Sequence, residues 1–172
     1  MIIVLDANLL LLLIVGMAGR DYISIHRRLR AYTAADFILL TQLLAAAPKI
    51  IVTPNTLTET SNLAGQIGEP ARSRIYQMFR ALVAGDGVEE VYSASKLAVA
   101  RTEFERLGLT DSCLLNVTTA TYLLLTVDLD LYLAAQRRGL KALQLPPRIV
   151  MRACLRQSNF AARARQDTQP AS

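Results

Sequence analysis

Histidine and cysteine are scarce in this sequence. Its 172 residues include one histidine, His26, and two cysteines, Cys113 and Cys154. A single histidine leaves no pair of histidines for acid–base chemistry, and no Ser-His-Asp or Cys-His arrangement except through His26. Because the cysteines lie far apart without metal-ligand spacing, we expect free thiols and a reducing cytoplasmic compartment. His26 lies in a basic helical stretch, which predicts a surface position.

Nucleotide-binding glycine loops and long apolar segments are also missing. Gly16-x-x-Gly19 and Gly85-x-Gly87 lack the rest of a Walker or dinucleotide-binding pattern. The apolar run from Leu9 to Val15 is too short to cross a bilayer, so we expect a soluble protein without a membrane partner. Aromatic residues make up only 6% of the chain, which leaves little capacity for stacking on bases. Recognition of a nucleic acid would therefore depend on backbone and shape.

Short apolar runs alternate with helical patterns along the chain. Strands alternating with helices imply a parallel sheet with helices on both faces. We therefore predict an α/β fold, a three-layer α/β/α arrangement around a central parallel sheet of about four to five strands. We expect one domain over residues 1–147 and a C-terminal extension, 148–172, whose end is mobile. The predicted strands lie at residues 2–5, 49–53, 88–92, 122–127 and 141–145.

Helix boundaries are predicted from capping patterns and glycines. Thr33-Ala34-Ala35-Asp36 and Thr56-x-x-Glu59 both have the form of a capping box that opens a helix. Helical spacing also predicts one helix over residues 22–32 and another over residues 95–107. The second of these would end at Gly108, since glycine is common just beyond a helix C-terminus.

Four acidic residues stand where strands end or helices begin. Asp6 follows the first strand, Asp128 follows the fourth, Glu59 lies in the helical turn after the second, and Asp111 follows Gly108. Taken singly, each could cap a helix or stabilise its dipole. In a parallel sheet, however, these positions meet at one edge, and like charges held close are destabilising unless they are protonated or bridged by cations. Hard divalent cations with oxygen ligands would resolve that repulsion.

In order and spacing, these elements resemble the PIN-domain nucleases over residues 1 to about 145. Leu5-Asp6-Ala7-Asn8-Leu9-Leu10 is similar to the opening strand of that family and its Asp-x-Asn/Ser element. The next three acidic elements of the family are resembled by Thr53-Pro54-x-x-Leu57-Thr58-Glu59, Leu109-Thr110-Asp111-Ser112 and Leu125-Thr126-Val127-Asp128-Leu129-Asp130. The nearest-looking group is the VapC-like toxin ribonucleases.

The resemblance implies Mg²⁺- or Mn²⁺-dependent cleavage of RNA by metal-activated water, and a toxin with a small antitoxin protein as its partner. It also assigns roles by position. The catalytic metal ligands or their immediate partners would be Asp6, Glu59, Asp111 and Asp128. A supporting shell would comprise Asn8, Thr126 and Asp130, with Asp130 as a further candidate metal ligand.

The net charge of +5 arises from 16 Arg and 3 Lys against 14 acids. If the five named acids gather in one site, the rest of the molecule is strongly basic, which suits an RNA substrate. The alternatives are a solvated helix face for each arginine cluster and a composition set by the genome. The hydrophobic fraction of 52% makes a homodimer interface plausible. The candidate nucleic-acid-binding residues are Arg27, Arg28, Arg30, Arg72, Arg74, Arg80, Arg137 and Arg138.

Three other functions fit the same sequence. The chain could be a housekeeping RNA-processing or DNA-acting nuclease with the same site. It could be a non-catalytic PIN-like module that binds nucleic acid or protein. Finally, the acids could be nothing more than helix caps in an α/β domain of unrelated function.

Overall fold

Five short parallel strands form the centre of the molecule. The computed structural model describes residues 1–147, and these form one sheet with the strand order β3-β2-β1-β4-β5. Helices cover both faces, so the predicted three-layer α/β/α fold with a parallel sheet is confirmed. The strands are β1 (Ile3–Leu5), β2 (Ile50–Val52), β3 (Val88–Glu90), β4 (Leu123–Thr126) and β5 (Lys141–Gln144).

Eight α-helices and one 3₁₀ turn connect the strands within residues 1–147. Every crossover between neighbouring strands of the sheet carries at least one helix, as parallel pairing requires. The helices are α1 (Ala7–Ala18), α2 (Arg20–Ile25), α3 (Ala34–Ala45), α4 (Pro54–Ala64), α5 (Ala71–Ala84), α6 (Ser95–Val99), α7 (Phe104–Val117) and α8 (Leu129–Arg137), and the 3₁₀ turn is Arg27–Leu29.

The strands divide the core into two layers. Ile3 and Leu5 of β1 belong to the layer built around α1, whereas Val4 packs with α7 and α8 on the other face. This is the alternation expected of a strand that is covered on both sides. The layer around α1 is the larger, because every residue from Leu9 to Gly16 is buried. At Gly16 an added Cβ would lie 2.2 Å from the ring of Phe37, so glycine is needed for α1 and α3 to pack this closely.

The prediction of one helix over residues 22–32 is wrong. Helix α2 ends at Ile25, and His26 adopts an extended backbone (φ −70°, ψ 123°) before the 3₁₀ turn Arg27–Leu29. The Nδ1 atom of His26 accepts a hydrogen bond from the Arg28 N–H at 3.3 Å. The local side chain thus satisfies a backbone donor that a continuous helix would have bonded internally.

Two further helix predictions need correction. The Thr56-x-x-Glu59 capping box does not form, because α4 begins earlier: the Thr53 hydroxyl accepts the Thr56 N–H at 3.2 Å, and Pro54 occupies the first helical position. The helix predicted over residues 95–107 is interrupted between Val99 and Phe104. By contrast, the capping box of Thr33 and Asp36 at the start of α3 is confirmed.

Gly108 has a left-handed backbone (φ 74°), and it separates α7 into two helical pieces. A glycine here lets the chain turn at low cost, and the second piece then starts close to Asp111. Among the described residues no helix is long and apolar enough to cross a membrane. The predictions for the 148–172 extension and for Cys154 fall outside the described residues, whereas Cys113 is a buried free thiol.

Candidate functional site

Asp6 lies at the carboxyl end of the central strand β1 and is only 3% exposed. Its Oδ1 accepts the Leu9 N–H at 2.7 Å and so caps α1. Its Oδ2 accepts the Val127 N–H at 2.8 Å, which ties the ends of β1 and β4 together. Burial raises the pKa of Asp6, while hydrogen bonds from the Thr126 side chain and these two backbone groups lower it. Asp6 is therefore both a helix cap and a buried carboxylate at the sheet edge.

Asp128 follows β4, the strand next to β1, and caps α8. Its Oδ1 accepts the N–H groups of Asp130 at 2.7 Å and of Leu131 at 3.0 Å. Its own N–H donates to the Thr126 Oγ1 at 2.9 Å. The buried Thr126 hydroxyl therefore joins the two acids, since its side chain also hydrogen-bonds with Asp6. A supporting role for Thr126 in a metal site stays a prediction.

Asp111, on α7, is brought into the same site. Burial and then repulsion by Asp6, Asp128 and Glu59 raise the pKa of Asp111 to about 7. Repulsion between carboxylates requires nearby charges, because the Coulomb energy falls with distance and is screened by solvent. The fold thus brings together the four predicted acids, one after β1, one on α4, one on α7 and one after β4.

Glu59 and Asp111 differ from the other two acids in their bonding. Within residues 1–147 neither carboxylate accepts a hydrogen bond or forms an ion pair, although both side chains are partly buried. The cap interpretation therefore holds for Asp6 and Asp128 but has no support at Glu59 and Asp111.

Asp130 lies at the rim of the site. Its Oδ1 accepts a hydrogen bond from the Arg106 Nη1 at 3.0 Å, and its side chain is 53% exposed. Its carboxylate is not among those that raise the pKa of Asp111. Metal ligation by Asp130 stays a prediction, and Arg106 competes for that carboxylate.

The donor set fits a hydrated hard cation. In the part of the chain that the structure describes, no three His, Cys, Asp or Glu side chains are arranged so that together they could hold a metal ion. The donors that do converge, however, are all carboxylate oxygens, and within residues 1–147 none of these four carboxylates forms an ion pair with a cationic side chain. Mg²⁺ commonly binds through one or two carboxylates and keeps several waters, so it does not need a complete protein cage.

Most of the predicted arginines do not contact the site. Arg138 makes a bidentate ion pair with Glu103, with bonds of 2.9 and 2.6 Å, and Arg72 pairs with Glu69 at 2.9 Å. Arg74 donates to the Tyr22 hydroxyl at 2.9 Å. The remaining arginines, which are exposed without an ion pair among the described residues, are Arg27, Arg28, Arg30, Arg80 and Arg137.

Arg28 is the exception among them, because its Nε donates to the Asn8 Oδ1 at 3.4 Å. Asn8 lies in the first turn of α1, two residues after Asp6. The structure therefore joins one predicted supporting residue to one predicted nucleic-acid-binding residue from a distant part of the chain.

The prediction that His26 lies at the surface is wrong: its side chain is fully buried. Burial lowers the pKa of His26, and the backbone carbonyls of Leu63 and Ala64 act in the opposite direction. A signal for this burial is present in the sequence, because Ile23, His26, Leu29 and Tyr32 recur at intervals of three and all four are buried. The flanking arginines obscured that pattern.

No model of a known family matches this chain, and no curated protein matches it. The evidence for a function therefore lies in the four acidic elements and in the geometry of their side chains.

Proposed function

We propose that this chain is a Mg²⁺- or Mn²⁺-dependent ribonuclease that hydrolyses RNA phosphodiester bonds. The observation that carries the proposal is the convergence of four carboxylates: Asp111 is partly buried, and the charges of Asp6, Asp128 and Glu59 add to the effect of burial in raising its pKa to about 7. Such repulsion costs free energy in the isolated chain, and a divalent cation would offset it. The resemblance of the four acidic elements to those of PIN-domain nucleases supports the same reaction.

In this proposal one or two of Asp6, Glu59, Asp111 and Asp128 would hold the metal directly, and the others would be its immediate partners. When bound, the ion lowers the pKa of the attacking water and stabilises charge on the phosphate. The hydrogen bonds of Asp6 and Asp128 to backbone N–H groups fix the position of two ligands before substrate arrives. Thr126 holds these two acids in register, and Asn8 orients Arg28 at the rim.

We further propose a cytoplasmic toxin of a toxin–antitoxin pair as the setting. A surface groove of about 550 Å³ between α4 and α5, with Leu57, Phe79 and Val83 in its wall, offers an apolar surface for an antitoxin or a second copy of the chain. Growth arrest on expression, relieved by Asp6→Asn, is the expected result. Normal growth on expression of an active enzyme would instead favour a housekeeping nuclease.

The test of catalysis is cleavage of mixed RNA by the purified protein with Mn²⁺ or Mg²⁺. Asp6→Asn and Asp128→Asn should abolish cleavage, as should a chelator. Asp86→Asn, an exposed acid in the turn before β3, is the matched control and should leave cleavage unchanged. Cleavage that persists in both site variants would contradict the proposal. Metal-dependent RNA binding with no cleavage at any metal concentration would favour a non-catalytic module, and the absence of any thermal shift with Mn²⁺ would favour acids that serve as caps.

A further inference from the structure

A short basic turn is anchored beside the first turn of α1, the helix that Asp6 caps. The 3₁₀ turn Arg27–Leu29 is fixed at both ends, because the side chains of His26 and Leu29 are fully buried. The Arg28 N–H is bonded to the His26 ring, which holds the backbone between these two anchors. Arg27 and Arg28 are exposed, so the turn presents cations from a rigid base.

Arg28 extends from this turn to the edge of the acid cluster. Its Nε is bonded to Asn8, in the first turn of the helix that Asp6 caps. The pKa of the neighbouring Tyr32 depends on both Arg28 and Asp6. Burial raises this pKa, the charges of Asp6 and Asp36 raise it further, and the charge of Arg28 lowers it. The guanidinium of Arg28 and the carboxylate of Asp6 therefore act on the same phenol from nearby positions.

Arg28 does not neutralise the acids beside it. Over residues 1–147 it forms no ion pair, although Asn8, to which it is bonded, lies only two residues from Asp6. An uncharged amide holds it instead, through Nε alone. The terminal nitrogens of the guanidinium make no hydrogen bond within those residues. A planar fork with its outer edge open is the geometry that binds two oxygens of a phosphate.

We propose that Arg28 is a substrate-binding residue that holds an RNA phosphate next to the one cleaved, with Asn8 fixing its guanidinium. This inference rests on the proposed ribonuclease function and assigns one side of the site to the path of the RNA. The four carboxylates repel the phosphates of an approaching RNA. A fixed cation at the rim attracts those phosphates that are too far from the bound metal to contact it. In this arrangement the RNA strand passes over the first turn of α1 and over the 3₁₀ turn Arg27–Leu29.

The test compares Arg28→Ala with Arg20→Ala, an exposed arginine on α2 without an ion pair among the described residues. Cleavage of a fluorescent single-stranded RNA gives KM and kcat separately. Anisotropy in an Asp111→Asn background gives Kd at several salt concentrations. Arg28→Ala should raise KM and Kd by about tenfold, as expected for loss of a charged hydrogen bond. It should also reduce the slope of log Kd against log salt by about 0.7, the value for one phosphate of a single strand.

Two more variants separate charge from placement. Arg28→Lys keeps the charge, so it should preserve the salt slope while weakening binding, because lysine cannot bind Asn8 and a phosphate with one planar group. Asn8→Ala should raise Kd by about threefold and leave the slope unchanged. Because Arg28→Lys retains the bulk and charge of the side chain, its result stands even if Arg28→Ala is poorly folded.

The outcomes are distinguishable. Suppose that the wild-type protein is active and that Arg28→Ala and Arg28→Lys both match Arg20→Ala in Kd, KM and salt slope. That result would overturn this inference and leave the proposed ribonuclease function intact. A fall in kcat with unchanged KM and Kd would also overturn it. Wild-type protein that neither binds nor cleaves RNA would overturn the proposed function together with this inference.

Discussion

Two halves of the acid cluster are built differently. The strand-end pair, Asp6 and Asp128, caps α1 and α8 through short bonds to backbone N–H groups. The helix pair, Glu59 and Asp111, makes no such bond within residues 1–147. Both halves contribute to one site, because Asp6, Asp128 and Glu59 all act on the pKa of Asp111.

The difference shows that a capping role and a functional role are compatible in one carboxylate. A carboxylate has about four lone-pair positions, and a cap uses only one or two of them. The capping bonds of Asp6 and Asp128 explain why these acids are tolerated without a ligand. Nothing in the described part of the chain compensates the helix pair in the same way, so the helix pair is the stronger sign of a cation.

The largest effect we expect is a loss of cleavage, and it should be similar whether a residue of the strand-end pair or of the helix pair is substituted. Asp6→Asn, Glu59→Gln, Asp111→Asn and Asp128→Asn should each lower kcat/KM by at least about 100-fold, since even residues that only orient metal ligands cost 10–100-fold. Glu105→Gln, an exposed acid on α7, is the matched control for Glu59→Gln. If Glu59→Gln or Asp111→Asn cleaved RNA with the kcat/KM of the wild type, the active site would comprise only the strand-end pair.

Stability should distinguish the pairs clearly. Asp6→Ala removes the cap of α1 and leaves the N–H of Val127 without its acceptor. We expect a loss of about 2–4 kcal/mol in the free energy of unfolding, from the cap and the unsatisfied donor together. Glu59→Ala should change it by less than about 0.5 kcal/mol. Urea denaturation in the presence of a chelator measures the free energy of unfolding of both variants. Equal losses would show that the strand-end pair and the helix pair do not differ in their contribution to stability.

The pH dependence of stability should reveal Asp111. Its pKa of about 7 in the folded chain exceeds the ordinary value of 3.8 for an aspartate side chain. The folded state therefore retains a proton that the unfolded chain releases, so this contribution to stability is full below pH 3.8 and is lost as the pH rises through 7.

Relative to Asp111→Asn, the wild-type protein should lose roughly 1–3 kcal/mol between pH 4 and 7 in the absence of metal. Urea denaturation at several pH values provides the comparison. Saturating Mn²⁺ should reduce the loss, because the ion binds the ionised carboxylate. Superimposable pH profiles for the two proteins would show that Asp111 is not crowded by the other acids.

The smallest expected effect concerns the rim. Asp130→Asn breaks the ion pair with Arg106, in which both side chains are largely solvent-exposed. Exposed pairs contribute about 0–1 kcal/mol, so we expect a change in stability of that size and cleavage within about threefold of wild type. A loss of cleavage comparable to that of Asp128→Asn would instead place Asp130 among the metal ligands.

The sequence was sufficient to predict the parts of the fold that local pattern determines. Apolar runs ending in Asp6 and Asp128 located two neighbouring strands and their shared edge. The burial of His26 was not predicted, because its arginine neighbours point outward while its ring points inward at a spacing of three residues.

The contact of Arg28 with Asn8 lies beyond sequence reasoning altogether. It joins residues 20 positions apart whose relation depends on how α2 and the 3₁₀ turn pack on α1. At the start of α4, Pro54 was the better guide than the Thr56 pattern, since proline favours the first position of a helix. Competing local signals of this kind are resolved only by tertiary packing.

The central position of β1 also constrains how the chain is made. Ile3 pairs with Leu123, 120 residues later in the chain, and α1 packs its apolar residues under the same sheet. At roughly 5–20 residues per second, a ribosome completes β4 several seconds after α1 has emerged. During that interval β1 lacks the neighbour on one of its two edges. Any product truncated before β4 therefore exposes the unpaired edge of β1, and aggregation or capture by chaperones is its expected fate.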